Sequence, residues 1–212
     1  MEFREVVERR RTTRQFQNRP VEEEKIRRII DAGLKAPTFD HMRRWEFVVV
    51  TDGKTKSRVL ESIEALPCGI VEPKTPLQEM VKIAFPRQRS MFEEAGCLLL
   101  PIFKKDARLL EEKNVRRLMD FAAMWCVIEN IFLAATDEGL SCAMRIPTSD
   151  EIHAHDAKVS TRDQATEILS AVGCPTGYVL PCLIGIGYAA DNALYPTQIR
   201  PSFDECVHWN QF

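Results

Sequence analysis

The chain has 212 residues, with 29 Lys+Arg against 31 Asp+Glu for a net charge of -2, and 45% hydrophobic and 28% charged residues. That length suits a single domain, 1–212, and so much apolar material excludes disorder as the main state. The near-neutral balance also argues against a dedicated nucleic-acid binder, whose surface is usually basic.

Phe3, Val6 and Val7 share one helical face in the opening segment, which ends in a basic run. After Pro20, residues Ile26, Ile29, Ile30, Gly33 and Leu34 repeat with the spacing of an amphipathic helix. Glu22, Glu23 and Glu24 occupy its first turn, where the helix dipole favours negative charge, and Pro37 closes it. Trp45 to Val50 reads as a buried strand. Val59, Leu60, Ile63 and Leu66 mark another helix. Prolines at 67, 73, 76 and 86 interrupt the next stretch, which leaves room for a short helix over Leu77–Ala84. The irregular segment Cys68–Met91 is the expected lid or substrate loop, or else a partner-binding surface. Gly96 to Phe103 is a second buried strand.

A long helix is expected from Val115 to Gly139, with Leu118, Phe121, Ala122, Trp125, Ile128, Ile131, Phe132 and Ala135 inward. It is apolar over more than one stripe, as in a central helix packed on several sides. Leu140–Ile146 reads as a short strand and residues 147–160 as loop. Thr161-Arg162-Asp163-Gln164 resembles a capping box opening a helix to Val172. Tyr178–Tyr188 is a third strand, and Ser202-Phe203-Asp204-Glu205 is a second capping box before a last short helix. Strands alternating with helices give a layered α/β or α+β domain.

Seven cysteines without a CxxC pair suit a reducing, cytoplasmic setting better than a disulfide scaffold. His153, His155 and Asp156 are the nearest approach to a metal cluster, and no second cluster at zinc-like spacing accompanies them, so no metal is expected. The charged start Met1-Glu2-Phe3-Arg4-Glu5 does not read as a signal peptide. Ile168 to Ala190 is uncharged and long enough to span a bilayer, but Gly173, Pro175, Gly177, Pro181, Gly185 and Gly187 point to a helix end, a turn and a buried strand instead.

Between Arg4 and Arg19, six arginines face two glutamates, a local excess of +4 that leaves -6 for the rest of a chain whose total is -2. If the helix persists through Arg9-Arg10-Arg11-Thr12-Thr13-Arg14, then Arg10 and Arg14 share a face one turn apart. Arginine forks grip phosphate oxygens in pairs, and Thr12 adds a hydroxyl and an N–H. A phosphate monoester would fit there. A solvated helix end, where cations offset the dipole, is the plainer alternative.

Arg10-Arg11-Thr12-Thr13-Arg14-Gln15-Phe16 and then Pro20-Val21 resemble the opening of the nitroreductase family of FMN-dependent oxidoreductases. Ala36-Pro37-Thr38-Phe39-Asp40-His41-Met42-Arg43-Arg44-Trp45 corresponds to that family's Ala-Pro-Ser-x-x-Asn-x-Gln-Pro-Trp stretch. Glu129 to Ala135 followed by Gly139-Leu140 looks like its central helix, Gly173 to Tyr178 with Ile184 to Tyr188 like its closing strand, and Arg200-Pro201 completes the order. The resemblance implies a three-layer α+β fold with a mostly antiparallel central sheet flanked by helices. It also implies an intertwined homodimer with FMN at the subunit interface.

By matching position it assigns FMN to Arg10, Arg11, Thr12 and Arg14, with Arg200 joining at the phosphate and Gln198 standing where many members carry lysine. Pro37, Thr38 and His41 would reach the partner's flavin, and the backbone around Cys142, Ala143 and Met144 would approach the isoalloxazine ring. His41 replaces the family's asparagine, Arg43 its glutamine, and Arg44 a proline.

The implied chemistry passes a hydride from NAD(P)H through flavin to an electron-poor acceptor such as a nitroaromatic or quinone, with no side-chain nucleophile. Arg14 or Arg43 would supply the positive charge that favours reduced flavin. Trp125 and Phe132, at helical spacing, are expected in the core rather than in a pocket, and Trp209 and Phe212 against the other subunit. The alternatives are a specialised flavoenzyme of the same fold, dehalogenating or flavin-fragmenting, or a non-enzymatic binder using the arginine cluster.

Overall fold

The computed structural model describes residues 1–38, 41, 43–104, 115–148 and 163–211. Its centre is a five-stranded antiparallel sheet. Strands β1 (Trp45–Val50), β2 (Cys97–Lys104), β3 (Ser141–Arg145) and β5 (Leu183–Gly187) lie in the order β1-β2-β5-β3, with the two-residue β4 (Tyr178–Val179) beside the end of β2.

β2 reads as an unbroken apolar run because both of its faces are covered. Cys97, Leu99 and Phe103 pack towards α2 (Glu23–Leu34) and α6 (Val115–Asp137). The alternate residues Leu98, Leu100 and Ile102 pack towards α3 (Gly53–Val59), α5 (Ser90–Glu94) and α7 (Gln164–Ala171). The period-two alternation of a strand thus feeds two cores, and the helices form a layer on each face. The expected three-layer α+β architecture, with an antiparallel central sheet flanked by helices, is the one present.

Several boundaries differ from expectation for identifiable reasons. The helix expected around Val59–Leu66 begins earlier, because Asp52 caps it by accepting from Thr55 N–H, and it ends in a 3-10 turn at Leu60–Ser62. The third strand divides into β4 and β5 around Pro181. β2 carries Pro101 between its pairing with β5 at 97–99 and with β4 at 103–104. Proline has no N–H to give a ladder, so the break falls where β2 also lacks a donor. α7 is capped by Asp163, whose carboxylate accepts from Thr166 N–H; Thr161 and Arg162 lie outside the described residues.

In α6, Ile128, Ile131, Phe132 and Ala135 are buried as expected, but Ala122 and Trp125 are exposed. Leu118's side chain lies outside the described residues. Of the segment Cys68–Met91, α4 (Pro76–Ala84) is helical under a Thr75 cap, and α5, which no spacing announced, follows it. The helix α1 (Phe3–Arg9) opens the chain, and α8 (Phe203–Cys206) closes it with the reciprocal Ser202–Glu205 capping box.

Two glycines let the N-terminal segment cross the sheet. A Cβ on Gly96 would stand 2.6 Å from the Arg19 carbonyl oxygen, and one on Gly187 would stand 3.0 Å from the Phe16 ring. Phe16 is thereby seated in the core and bridges Ala189.

Candidate active site

Helical geometry stops at Arg9, so Arg10 and Arg14 do not share a helix face. The chain instead runs out along the free edge of β3, where Thr12 bridges Cys142 in parallel and Thr13 N–H donates to the Cys142 carbonyl at 2.9 Å. Along extended chain, alternate residues face opposite ways. Arg11 and Thr13 turn to one side. The Arg11 guanidinium lies 5.0 Å from the Tyr195 ring centroid and donates to the Pro196 carbonyl at 3.0 Å, while the buried Thr13 hydroxyl meets the Tyr195 hydroxyl at 3.2 Å. Arg10, Thr12 and Arg14 take the alternate positions.

Arg10 and Arg14 are half-buried residues, and their guanidinium groups have no hydrogen-bond or ion-pair partner among the described residues. Burial pushes the Arg14 pKa down. A half-buried cation without a counter-ion carries a desolvation cost that a bound anion would offset. The chemistry of this donor set therefore suits the phosphate and ring oxygens of a flavin mononucleotide.

The C-terminal segment closes over the same place. Ala190 N–H donates to the Gln15 carbonyl at 3.0 Å, Leu194 N–H to Gln15 Oε1 at 2.8 Å, and Thr197 N–H to Glu79 Oε2 at 2.9 Å. Gln198 and Arg200 follow directly and are exposed. On β3, Ala143 is buried and Met144 half-buried, one and two residues past the Thr12 bridge. The structure thus brings both ends of the chain and β3 together.

Pro37, Thr38 and His41 stand elsewhere. They precede β1, whose Trp45 pairs with Phe103 at the far end of β2, on the sheet edge opposite β3. At about 3.3 Å per residue along β2 and about 4.8 Å between strands, that is the sheet's long diagonal, on the order of 20 Å. His41 is exposed in the left-handed region at φ 53. Histidine, like asparagine, is among the non-glycine residues that tolerate that conformation. Phe39, Asp40 and Met42 lie outside the described residues.

Four residues at the site carried no signal in sequence. Arg87 and Glu94 grip the main chain beside Arg14, Tyr195 anchors Arg11, and Arg145 follows Met144. The half-buried Arg145 donates to Gln88 Oε1 at 2.8 Å and Gln164 Oε1 at 3.3 Å, and burial lowers its pKa. Only the fold brings these partners within reach, over separations of 7 to 185 residues.

Two surface clefts, one between α2 and β1 and one between the 3-10 turn and α7, contain none of the candidate cofactor residues. Among the described residues no group of three or more His, Cys, Asp or Glu is placed to hold a metal ion, and His153, His155 and Asp156 lie outside them. Burial raises the Cys97 thiol to about 12 and pushes Cys142 and Cys182 up as well, so these act as small apolar side chains.

An antiparallel sheet sandwiched between helices, with an arginine-rich extended segment along its edge, defines an α+β domain with a cationic rim. A sequence model of the Nitroreductase family matches residues 7–188. The chain belongs to the nitroreductase family. It is 22% identical over 209 residues to an NADH dehydrogenase of Thermus thermophilus, covering 94% of this chain and 92% of that protein. It is also 35% identical over 63 residues to the iodotyrosine deiodinase of Haliscomenobacter hydrossis, a match spanning 30% of this chain and 28% of that protein. The crystal structure of an FMN- and NADPH-dependent nitroreductase from Sphigopyxis sp. strain HMH superposes with a TM-score of 0.70 at 20% identity, over all of both chains. Gln198 and Arg200 fall beyond the family match.

Proposed function

We propose that this protein is an FMN-dependent oxidoreductase that uses NAD(P)H to reduce an electron-poor acceptor such as a nitroaromatic or quinone. The observation that carries it is the pair Arg10 and Arg14, half-buried cations without partners among the described residues, on alternate positions of a strand beside Ala143 and Met144. The names of the similar proteins, an NADH dehydrogenase and an FMN- and NADPH-dependent nitroreductase, support the same chemistry.

FMN, when bound, supplies the hydride relay between reductant and acceptor. Arg10 and Thr12 hold its anionic tail with Arg200 and Gln198, and Arg14 brings positive charge that favours the reduced flavin. Arg11 contributes through its hold on Tyr195 and Pro196. Ala143 and Met144 offer β3 backbone to the ring. Pro37, Thr38 and His41, on the far diagonal, serve the flavin of a second copy, so the working unit is a homodimer. Seven free cysteines suit a reducing cytoplasm.

The purified protein should be yellow and release FMN on denaturation, with Arg10→Ala losing most of it. Colourless protein that retards nucleic acid would instead establish the non-enzymatic binder. The partial match to a deiodinase favours one second reading, reductive dehalogenation at the same flavin. Parallel assays with nitroaromatic, quinone and halophenol acceptors separate the two.

A further inference from the structure

Arg87 and Glu94 stand seven residues apart, before and at the end of α5, and clasp the main chain of the basic segment. Arg87 Nε donates to the Arg14 carbonyl at 3.1 Å, and Arg87 Nη2 is ion-paired with Glu94 Oε2. The same carboxylate oxygen accepts the Phe16 N–H at 3.3 Å. One ion pair therefore grips the chain on both sides of Gln15. Its two side chains are each 28% exposed, so it is better shielded than an ordinary surface pair. The Arg14 guanidinium has no partner of its own among the described residues. Its location is set by where its backbone is held, and Arg87 holds it.

We propose that the Arg87–Glu94 pair is a positioning device for Arg14, fixing that cation where the negative charge of a bound flavin meets it. The inference rests on the FMN assignment above and adds residues that no motif contains. Arg87 acts through the main chain: it removes freedom from the Arg14 backbone, so the Arg14 side chain loses less entropy when it closes on an anion. The adjacent Gln88 receives Arg145 Nη1 at 2.8 Å, so the same turn also ties down the end of β3.

The test is FMN titration of the apo-protein, followed by flavin fluorescence, together with the midpoint potential of the reconstituted protein. The variants are Arg14→Ala, Arg87→Met, Arg87→Lys, Glu94→Gln and the double Arg14→Ala/Arg87→Met. Arg87→Met should weaken FMN binding about tenfold, the size of one charge-assisted hydrogen bond. Arg87→Lys should recover part of the loss, and the midpoint potential should move negative as in Arg14→Ala. The double variant should bind no more weakly than Arg14→Ala alone, since the two act in series. A general loss of stability would multiply the two losses instead. Should Arg87→Met fold poorly, Glu94→Gln keeps an acceptor for Phe16 N–H and should shift affinity the same way by less. If Arg14→Ala weakens FMN binding while Arg87→Met and Glu94→Gln bind as the parent does, or if the losses multiply, the inference is overturned and the FMN assignment stands. If Arg14→Ala itself binds FMN normally, the inference and the role given to Arg14 are overturned; if the parent protein binds no FMN, the FMN assignment itself is overturned.

Discussion

Arg11 and Pro196, 185 residues apart in sequence, are joined by a 3.0 Å hydrogen bond from guanidinium to carbonyl. Tyr195 stacks against the same guanidinium, so one arginine of the basic cluster anchors the C-terminal segment. Removing it should free that segment. Arg11→Ala is expected to lower stability by about 1–2 kcal/mol, one charge-assisted hydrogen bond plus a cation–π contact. It should also expose the chain after Ala190 to proteases. An unchanged digestion pattern would refute the anchor.

Gly96 has a steric duty rather than a conformational one. Its absent Cβ would lie 2.6 Å from Arg19 O and 2.7 Å from Val21 Cγ2, and the nearer of these is backbone that cannot rotate away. Gly96→Ala should cost about 2–3 kcal/mol in urea melts, in the range of core overpacking. Gly53→Ala, where nothing lies within 4 Å, is the matched control and should leave stability unchanged or raised.

α6 presents Ala122, Trp125, Cys126 and Glu129 on one exposed stripe at helical spacing. Ile199, Phe203 and Trp209 in the last segment are exposed at 75%, 65% and 76%. Exposed apolar surface of this kind would supply the interface of the proposed homodimer. Trp125→Asp is expected to shift sedimentation from dimer to monomer and to lower flavin content with it, because Pro37, Thr38 and His41 would no longer meet the second site. Truncation after Val207 should loosen the dimer through loss of Trp209; Phe212 lies outside the described residues. Unaltered dimer dissociation would rule that out.

Acid should destabilise the fold over a defined window. The Arg28 guanidinium holds the Glu138 carboxyl below its ordinary 4.5, Tyr188 does the same for Glu22, and the Thr197 N–H for Glu79. Each folded value lies below the unfolded one, so the unfolded chain binds more protons as pH falls. The stabilisation is complete above 4.5 and is lost as pH drops through the folded values. Thermal midpoints should hold steady down to that point and decline below it. Glu79→Gln should lessen the decline, and a midpoint that rises on acidification would contradict the assignment.

Elements whose cause is local could be read from residue order alone. The 3.6-residue repeat of Ile26–Leu34, the apolar run of β2 and the Ser202 capping box each depend on neighbours a few positions away, and all three stand where spacing put them. The strand break at Pro181, the outward face of Trp125 and the true course of Arg10–Arg14 depended on contacts that periodicity does not encode. The arginines were visible as charge, and family resemblance supplied the expectation of FMN. That Arg11 is an anchor, that Arg10 and Arg14 lie along a strand edge, and that Arg87 and Glu94 clasp the main chain at Arg14 and Phe16 was decided by β3 presenting a free edge to the N-terminal segment. Long-range pairing chooses partners by shape and unsatisfied hydrogen bonds, and those exist only once the sheet has formed.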